Sequence, residues 1–245
     1  MRSYQVEAVV LRTHKLGEAD RIITLLSRER GKIRAVAKGV RRTRSRFGAR
    51  LEPFSRVQLL IAPGKNLDII TQAESLNVYG EALVLDYPLW TIGQTILETA
   101  DRISSEEGVP IETQYLLLVG ALKSLTEKEH DGQLVLNAYL LRALSLAGYA
   151  PVLLECASCG DSGPQPFFNV ASGGALCAQH RQPGSVAPKP ETISLLTALI
   201  RGDWKVAEEL AATAIREASG LVAAYTQWHL ERTLKSLPLV DRQLP

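Results

Sequence analysis

Hydrophobic and polar residues alternate along much of the first 79 positions, a period that is typical of β-strands with one buried face. The alternation is clearest in YQVEAVVLRTH (residues 4–14), and strand-like runs follow at RIITLLS, IRAVAKGV, VQLLIA and LDIITQAE. Glycine and proline lie between several of these runs, where turns are expected. Five short strands without a long helix predict a small antiparallel barrel. Five is also the strand number of the OB fold, whose faces and loops often bind oligonucleotides.

From Gly80 onward, apolar positions recur at intervals of three and four, the period of an amphipathic helix. The pattern predicts three packed helices at 87–107, 113–130 and 132–150, and further helices at 192–202, 204–219 and 221–237. Residues 151–190 are rich in glycine and proline and contain all three cysteines. The predicted fold is therefore α+β: a five-stranded OB-fold β-barrel (1–79), a helical domain (80–150), a zinc-binding segment (151–190) and C-terminal helices that pack with the helical domain (191–245).

Composition indicates a folded globular protein, since 46% of the 245 residues are hydrophobic and 22% are charged. The first residues lack the unbroken apolar run of a signal peptide, and no window approaches the roughly 18 apolar residues of a membrane span. We therefore expect a cytoplasmic protein that does not contact the membrane. Three cysteines within 22 positions suit metal ligation in a reducing compartment better than a disulfide framework.

Residues 38–50, KGVRRTRSRFGAR, contain six Lys or Arg and no acid, although the whole chain has a formal charge of only +2. The run lies between two predicted strands, so its side chains are not needed to cover a core. Such charge density favours binding of a polyanion, because neutralised phosphates release condensed counterions. A solvated loop that only aids solubility is the alternative. The predicted DNA-binding cations are Lys38, Arg41, Arg42, Arg44, Arg46 and Arg50.

Two neighbouring features extend this prediction. Arg28, Arg30, Lys32 and Arg34 occupy alternate positions just before the run, and alternate side chains of a regular strand share a face. If the strand stays regular, these four side chains extend the basic patch of the loop. Phe47 either packs in the core or stacks on a nucleotide base, a contact that tolerates any base sequence.

The three cysteines and one histidine form a metal-binding pattern. Cys156 and Cys159 are separated by two residues, and so are Cys177 and His180, with 17 residues between the two pairs. This spacing predicts a tetrahedral zinc site, because each short turn supplies two ligands and the intervening loop lets the second pair close the site. Four protein ligands leave no open position for a catalytic water, so the predicted zinc is structural. The alternative is three buried thiols and an ordinary surface histidine.

Motifs of the common enzyme classes are missing from the sequence: there is no phosphate-binding GxxxxGK[ST], GxGxxG, HExxH or GxSxG. His14, His130 and His229 are scattered without a partner nucleophile, and Asp20 precedes a strand as a turn former would. The sequence therefore predicts a protein that is not an enzyme.

Four features occur in a fixed order: residues 16–54 (LGEADRIITLLSRERGKIRAVAKGVRRTRSRFGARLEPF), 67–74 (LDIITQAE), 137–151 (NAYLLRALSLAGYAP) and the cysteine pairs. In these features the chain resembles the RecO family of bacterial DNA repair proteins. The resemblance implies an OB domain, a helical domain and a zinc-binding insertion in one polypeptide. Other family members have cysteine at the position of His180, and the cluster is not universal among them.

The resemblance also implies a function. Family members bind single- and double-stranded DNA, anneal complementary strands and, with RecR, help RecA to load onto DNA coated by single-strand binding protein (SSB). They contact the acidic, hydrophobic C-terminal tail of SSB as well. A carboxylate favours a charge-assisted partner, and Arg142, inside an otherwise apolar helix, is the candidate for that contact. Alternatively, the Arg142 guanidinium reaches solvent or pairs with an acid.

Two hypotheses follow. The first is a recombination mediator that binds DNA and anneals it, in which case affinity should depend steeply on salt. The second is an adaptor that recruits repair partners with only weak DNA anchoring. A metal-dependent nuclease is disfavoured because the four predicted ligands fill the coordination sphere.

Overall fold

The computed structural model describes residues 2–104, 107–109, 111–230 and 234–240. The chain divides into two compact units, residues 1–127 and 128–245. The first unit contains β1 (Tyr4–Leu16), β2 (Asp20–Ser27), β3 (Gly31–Ala37), β4 (Ser55–Ala62), β5 (Asp68–Val78), α1 (Gly80–Leu83), α2 (Tyr87–Ile103) and α3 (Glu112–Glu127). The second contains α4 (Gly132–Leu146), β6 (Phe167–Asn169), β7 (Gly174–Leu176), α5 (Pro190–Arg201) and α6 (Trp204–His229). Within the described residues, no helix combines the length and the apolar character needed to cross a bilayer.

The first five strands close into a barrel in the order β1-β2-β3-β5-β4. The predicted five-stranded barrel followed by helices is therefore confirmed. Alternate residues such as Val6, Ala8 and Val10 of β1 fill the interior with apolar side chains. One detail of the prediction is wrong: β3 and β5 are parallel. Both β1 and β5 run antiparallel to β4, and β1 and β3 run antiparallel to β2, so closure brings β3 and β5 together in the same direction.

Helix α2 packs closely on the barrel beside Phe54. Phe54 is fully buried, has a left-handed φ of 71° and lies with its ring centroid 4.9 Å from that of Trp90. A Cβ at Gly93 would lie 2.9 Å from Cε1 of Phe54, so only glycine permits this approach. The helix begins after Asp86, whose carboxylate accepts a hydrogen bond from the Leu89 backbone N–H.

The helices are divided between the two compact units. Helices α2 and α3 belong to the first unit, whereas α4 lies in the second and packs against α5 and α6. Helix α2 ends at Ile103, short of the predicted residue 107, because Ser104 leaves the helical conformation. The rest of that predicted helix includes residues 105 and 106, which lie outside the described residues.

Helix α6 joins two helices that the sequence predicted as separate. It runs unbroken through Gly220, because one glycine costs a helix only about 1 kcal/mol relative to alanine and packing on α4 and α5 offsets this. The predicted C-terminal part over residues 231–233 lies outside the described residues. The glycine-rich segment contains a short hairpin, β6 and β7, that the sequence did not predict. The proposed boundaries at 79, 150 and 190 stay predictions.

Candidate nucleic-acid interface and metal centre

The basic loop, residues 38–50, connects β3 to β4 in the first unit. All six of its predicted DNA-binding cations are exposed: Lys38, Arg41, Arg42, Arg44, Arg46 and Arg50. In the part of the chain that the structure describes, none of the six forms an ion pair. Nearby Arg21, by contrast, pairs with Glu52 at 2.6 Å. The positive charge of the loop is therefore uncompensated and turned to solvent, which is what a phosphate-binding surface requires.

The loop has a defined conformation, because its own residues hydrogen-bond the backbone at both ends. At its start, the Arg41 backbone N–H donates to the Ala19 carbonyl at 2.9 Å, and the Arg41 guanidinium donates to the carbonyl oxygens of Gly17 and Glu18. At its end, the Arg50 guanidinium donates to the Arg46 carbonyl at 3.0 Å. Arg41 and Arg50 therefore use guanidinium N–H groups to hold the loop, and those N–H groups are not available to a phosphate.

The remaining cations are more available for phosphate. Lys38, Arg42 and Arg44 make no side-chain hydrogen bond to any described residue, and the Arg46 guanidinium lies 4.9 Å from the centroid of the Phe47 ring. A guanidinium that stacks on a ring keeps its edge donors free. The loop thus presents four cations whose donors point to solvent rather than to protein acceptors.

The four predicted metal ligands come together in the second unit. One ligand atom from each of Cys156, Cys159, Cys177 and His180 lies within 4.8 Å of all the others. Around zinc, with bonds of about 2.0–2.3 Å, tetrahedral ligand atoms lie roughly 3.5–3.8 Å apart, so the cluster fits a single ion of this kind. The hairpin β6–β7 delivers Cys177 directly after its second strand. The arrangement is therefore compatible with a closed metal site.

Local backbone contacts favour the ligating form of one thiol. The Cys177 backbone N–H donates to Sγ of Cys156 at 3.4 Å and lowers the pKa of the Cys156 thiol to about 6. The thiolate is the form that binds metals. Sγ of Cys177 lies 3.1 Å from Nδ1 of His180, so the histidine ring faces the cluster through its proximal nitrogen.

Comparison with known proteins identifies the family. Residues 1–79 match the family model described as Recombination protein O N terminal, and residues 84–238 match Recombination protein O C terminal. The chain is 57% identical over 242 residues to the DNA repair protein RecO of Nocardioides sp., covering 98% of this chain and 99% of that protein. It is 54% identical over 242 residues to the DNA repair protein RecO of Thermobifida fusca, covering 99% of this chain and 100% of that protein.

The chain belongs to the RecO family. The resemblance seen in the sequence is thereby confirmed, and the chain is a DNA repair protein of that family.

In this member of the RecO family, Phe47 belongs to the barrel core. Its side chain is only 1% exposed and packs with residues such as Leu51 and Val57. The hypothesis that Phe47 stacks on a base is therefore wrong, because a ring enclosed by the core has no free face to offer. Phe47 instead anchors the end of the basic loop, which leaves Arg46 above its ring.

The regular strand that would place Arg28, Arg30, Lys32 and Arg34 on one face is not present, and their predicted role in DNA binding stays a prediction. Arg28 and Arg30 lie in the turn between β2 and β3, and only Lys32 and Arg34 lie in a strand. The Arg30 guanidinium stacks on the ring of Tyr4 at 4.1 Å. Because the regular alternation ends at the hairpin, these four side chains do not lie on one strand face.

The charges of the other three are compensated within the first unit. Each pairs with an acid in or between α2 and α3, so these cations hold the helical segment against the barrel. Lys32 is the most buried, with a side chain only 11% exposed. The pairs are Lys32–Asp101 (2.6 Å), Arg28–Glu112 (2.7 Å) and Arg34–Glu107 (3.7 Å).

Lys15 is a cation near the loop that the sequence reasoning missed. It lies directly opposite Arg21 at the end of the β1–β2 hairpin, and like charges so placed destabilise a sheet. Glu52 compensates Arg21, whereas Lys15 is exposed. The turn that follows Lys15 is the one that Arg41 contacts, so Lys15 adds charge beside the loop. The sequence signal for this cation was that Lys15 lies two residues before Gly17, where a turn is expected.

Arg142 lies half-buried in α4 of the second unit. A Cβ at Gly202 would be 3.6 Å from its Nη1, so the guanidinium rests beside the C-terminal end of α5. It makes no hydrogen bond or ion pair with the residues that the structure describes. The neighbouring residue Arg201 lines a groove of about 320 Å³ together with apolar residues such as Leu153 and Ile200. Its predicted role in binding the SSB tail stays a prediction.

Proposed function

We propose that this RecO-family protein is a non-enzymatic recombination mediator. It anneals complementary single strands and, together with RecR, helps RecA to load onto SSB-coated DNA. The observation that carries this proposal is the loop between β3 and β4, whose six exposed cations form no ion pair with the residues that the structure describes. Its polyanion is DNA, both single- and double-stranded, because membership of a DNA repair family excludes most other ligands of this charge.

Annealing requires no bond to be made or broken. It requires two polyanions to approach each other, and a cationic surface lowers their repulsion while released counterions favour binding. The contacts proposed for Lys38, Arg42, Arg44 and Arg46 go to phosphates and leave the bases free to find their complements. With Phe47 in the core, we assign no base-stacking residue to the loop.

For the metal centre we propose one structural Zn²⁺ per chain, held by Cys156, Cys159, Cys177 and His180. Three soft thiolates and an imidazole are donors that suit zinc, and four protein ligands leave no position for a reactive water. The ion would join the segment after α4 to the β6–β7 hairpin and contribute folding energy there. The four protein ligands, which leave no position for a reactive water, argue against nuclease chemistry at the cluster.

For the SSB tail we propose the apolar groove beside Arg201, with the Arg142 guanidinium nearby as the partner of a carboxylate. Both cations belong to the second unit, whereas the basic loop belongs to the first. An adaptor that recruits partners through this groove, with only weak DNA anchoring, is the competing function.

Annealing of two complementary fluorescent oligonucleotides tests the proposal. The proteins compared are the wild type, a loop variant with Arg41, Arg42, Arg44 and Arg46 changed to Ala, and a control in which the exposed residues Lys123, Lys189, Lys205 and Arg216 are changed to Ala. Both variants have four fewer positive charges than the wild type. We expect annealing to slow about tenfold or more in the loop variant alone, because only that variant removes cations of the basic loop, among them the proposed phosphate ligands Arg42, Arg44 and Arg46.

The outcomes separate the hypotheses. Equal slowing in both variants would mean that net charge, not the loop, drives annealing. Full annealing activity of a correctly folded loop variant would mean that DNA binds to another surface of the protein. A wild type that binds a C-terminal SSB peptide but does not anneal would favour the adaptor.

A further inference from the structure

The basic loop starts from a hydrogen bond made by an acidic side chain. Oδ1 of Asp20, the first residue of β2, accepts the backbone N–H of Gly39 at 2.7 Å. The last main-chain pair between β2 and β3 on this side joins Arg21 to Ala37. The Asp20 carboxylate therefore continues the β2–β3 ladder beyond its last backbone pair and fixes the chain where it leaves the barrel.

This anchor sets the course of the residues that follow. Gly39 has a left-handed φ of 68°, and its carbonyl accepts the backbone N–H of Arg42 at 3.1 Å. The carbonyl of Arg42 in turn accepts the N–H of Ser45 at 2.9 Å. The hydrogen bond from Gly39 to Asp20 and the two turns that follow it thus determine where the exposed side chains of Arg42 and Arg44 lie.

Electrostatics alone gives Asp20 no favourable role in DNA binding. Its carboxylate lies at the base of a loop that carries six positive charges, so it repels the polyanion that the loop attracts. On Coulombic grounds, its removal should tighten DNA binding. A role in ordering the loop predicts the opposite, because a disordered loop must lose conformational freedom when it binds.

We infer that Asp20 is a positioning residue for DNA binding: by fixing Gly39 it holds the basic loop in its binding conformation. The inference rests on the proposed DNA-binding function of the loop. It assigns an acidic residue a supporting role in a cationic site.

Asp68 provides a matched control. It is the first residue of β5, and its Oδ1 also accepts a glycine N–H, that of Gly64, at 3.1 Å. The loop it holds carries a single cation, Lys65. Asp20→Ala and Asp68→Ala each remove one negative charge and one carboxylate–glycine hydrogen bond. Asp68→Ala also removes the hydrogen bond that the Tyr4 hydroxyl donates to Asp68, but only Asp20→Ala releases the basic loop.

The test measures binding of a fluorescein-labelled 30-nucleotide oligo-dT by anisotropy. We expect Asp20→Ala to weaken binding about five- to tenfold, since an unanchored loop pays an ordering cost. Asp20→Asn should bind within about twofold of the wild type, because the amide oxygen still accepts the Gly39 N–H. Asp68→Ala should also stay within about twofold.

Two results would overturn the inference. The first is binding by Asp20→Ala that is as tight as that of the wild type or tighter, which is the Coulombic outcome. The second is binding by Asp20→Asn that is as weak as that of Asp20→Ala. The fourfold Arg variant in the same assay separates this inference from the proposed function: if it binds like the wild type, the loop is not the DNA site at all.

If Asp20→Ala does not fold, amide hydrogen exchange of the wild type decides the question. The anchored amides of Gly39 and Arg41 should exchange at least about tenfold more slowly than that of Arg44, whose N–H has no partner among the described residues. Equal exchange at these three amides would overturn the inference.

Discussion

The phenol of Tyr115 donates a hydrogen bond to the Glu7 carboxylate across 2.6 Å and so links α3 to β1 within the first unit. The same carboxylate oxygen receives the Arg56 guanidinium at 2.5 Å. Tyr115 is only 1% exposed. A buried hydroxyl, a carboxylate and a guanidinium thus satisfy one another where the helix meets the barrel.

Tyr115→Phe is expected to lower the free energy of unfolding by about 1–2 kcal/mol, because Glu7 loses a donor where water cannot fully replace it. Urea denaturation followed by circular dichroism measures the change. Tyr87→Phe is the control, since Tyr87 is 67% exposed and its hydroxyl is solvated. Equal effects of the two substitutions would contradict the assignment.

The same cluster predicts a pH dependence. Burial of Glu7 opposes its ionisation, but hydrogen bonds from Tyr115 and Arg56 outweigh burial and lower the pKa of Glu7. A lowered pKa means that the Glu7 contribution is complete above the unfolded pKa of about 4.3 and is lost as the pH falls through the lower folded pKa. The stability advantage of wild type over Glu7→Gln should therefore be larger at pH 7 than at pH 3. A difference that does not change with pH would refute this.

Gly93→Ala should destabilise the first unit by about 1–3 kcal/mol, because the added methyl group meets the buried Phe54 ring and α2 cannot retreat without opening the core. Gly120→Ala, also in mid-helix, has no atom within 4 Å of its new Cβ and should stabilise by a few tenths to about 1 kcal/mol. In thermal unfolding, the melting temperature should fall for Gly93→Ala and rise for Gly120→Ala if the packing is as described.

Cys177→Ser should lose the bound metal and lower the melting temperature of the protein, since binding energy at a structural site is folding energy. Elemental analysis and calorimetry measure both effects, and Ser158→Ala, a non-ligand in the first ligand turn, is the control. His180→Cys should retain one zinc per chain, because a thiolate satisfies the same tetrahedral position. A wild type purified without metal and insensitive to added zinc would rule out the site.

Arg44→Ala should reduce the slope of log affinity for single-stranded DNA against log salt by about 0.7, the value for one phosphate contact. Arg28→Ala is matched in charge but should leave the slope unchanged, because Arg28 is engaged by Glu112 at 2.7 Å. Anisotropy titrations between about 50 and 200 mM salt measure both slopes. Identical slopes for the two variants would mean that the loop and the paired cations contribute alike.

Much of the fold and of both candidate sites could be predicted from the sequence, because the signals are local. Alternation along β1 to β5 reports which residues face one side of a strand, and a pair of ligands two residues apart reports a turn. The charge of KGVRRTRSRFGAR can be read without knowledge of the fold, and it is enough to make this run a candidate anion-binding segment. Each of these features depends only on residues a few positions apart, so it can be recognised from the sequence.

Tertiary structure alone decided the rest. Phe47 and Arg46 are adjacent in sequence, yet one enters the barrel core and the other remains exposed. Lys32 is part of a basic stretch, but an acid 69 positions later neutralises it. Periodicity shows that a face exists without showing what covers it, and a charge has meaning for binding only once its partners are known. Those partners come from distant segments brought together by closure of the barrel and packing of the helices on it.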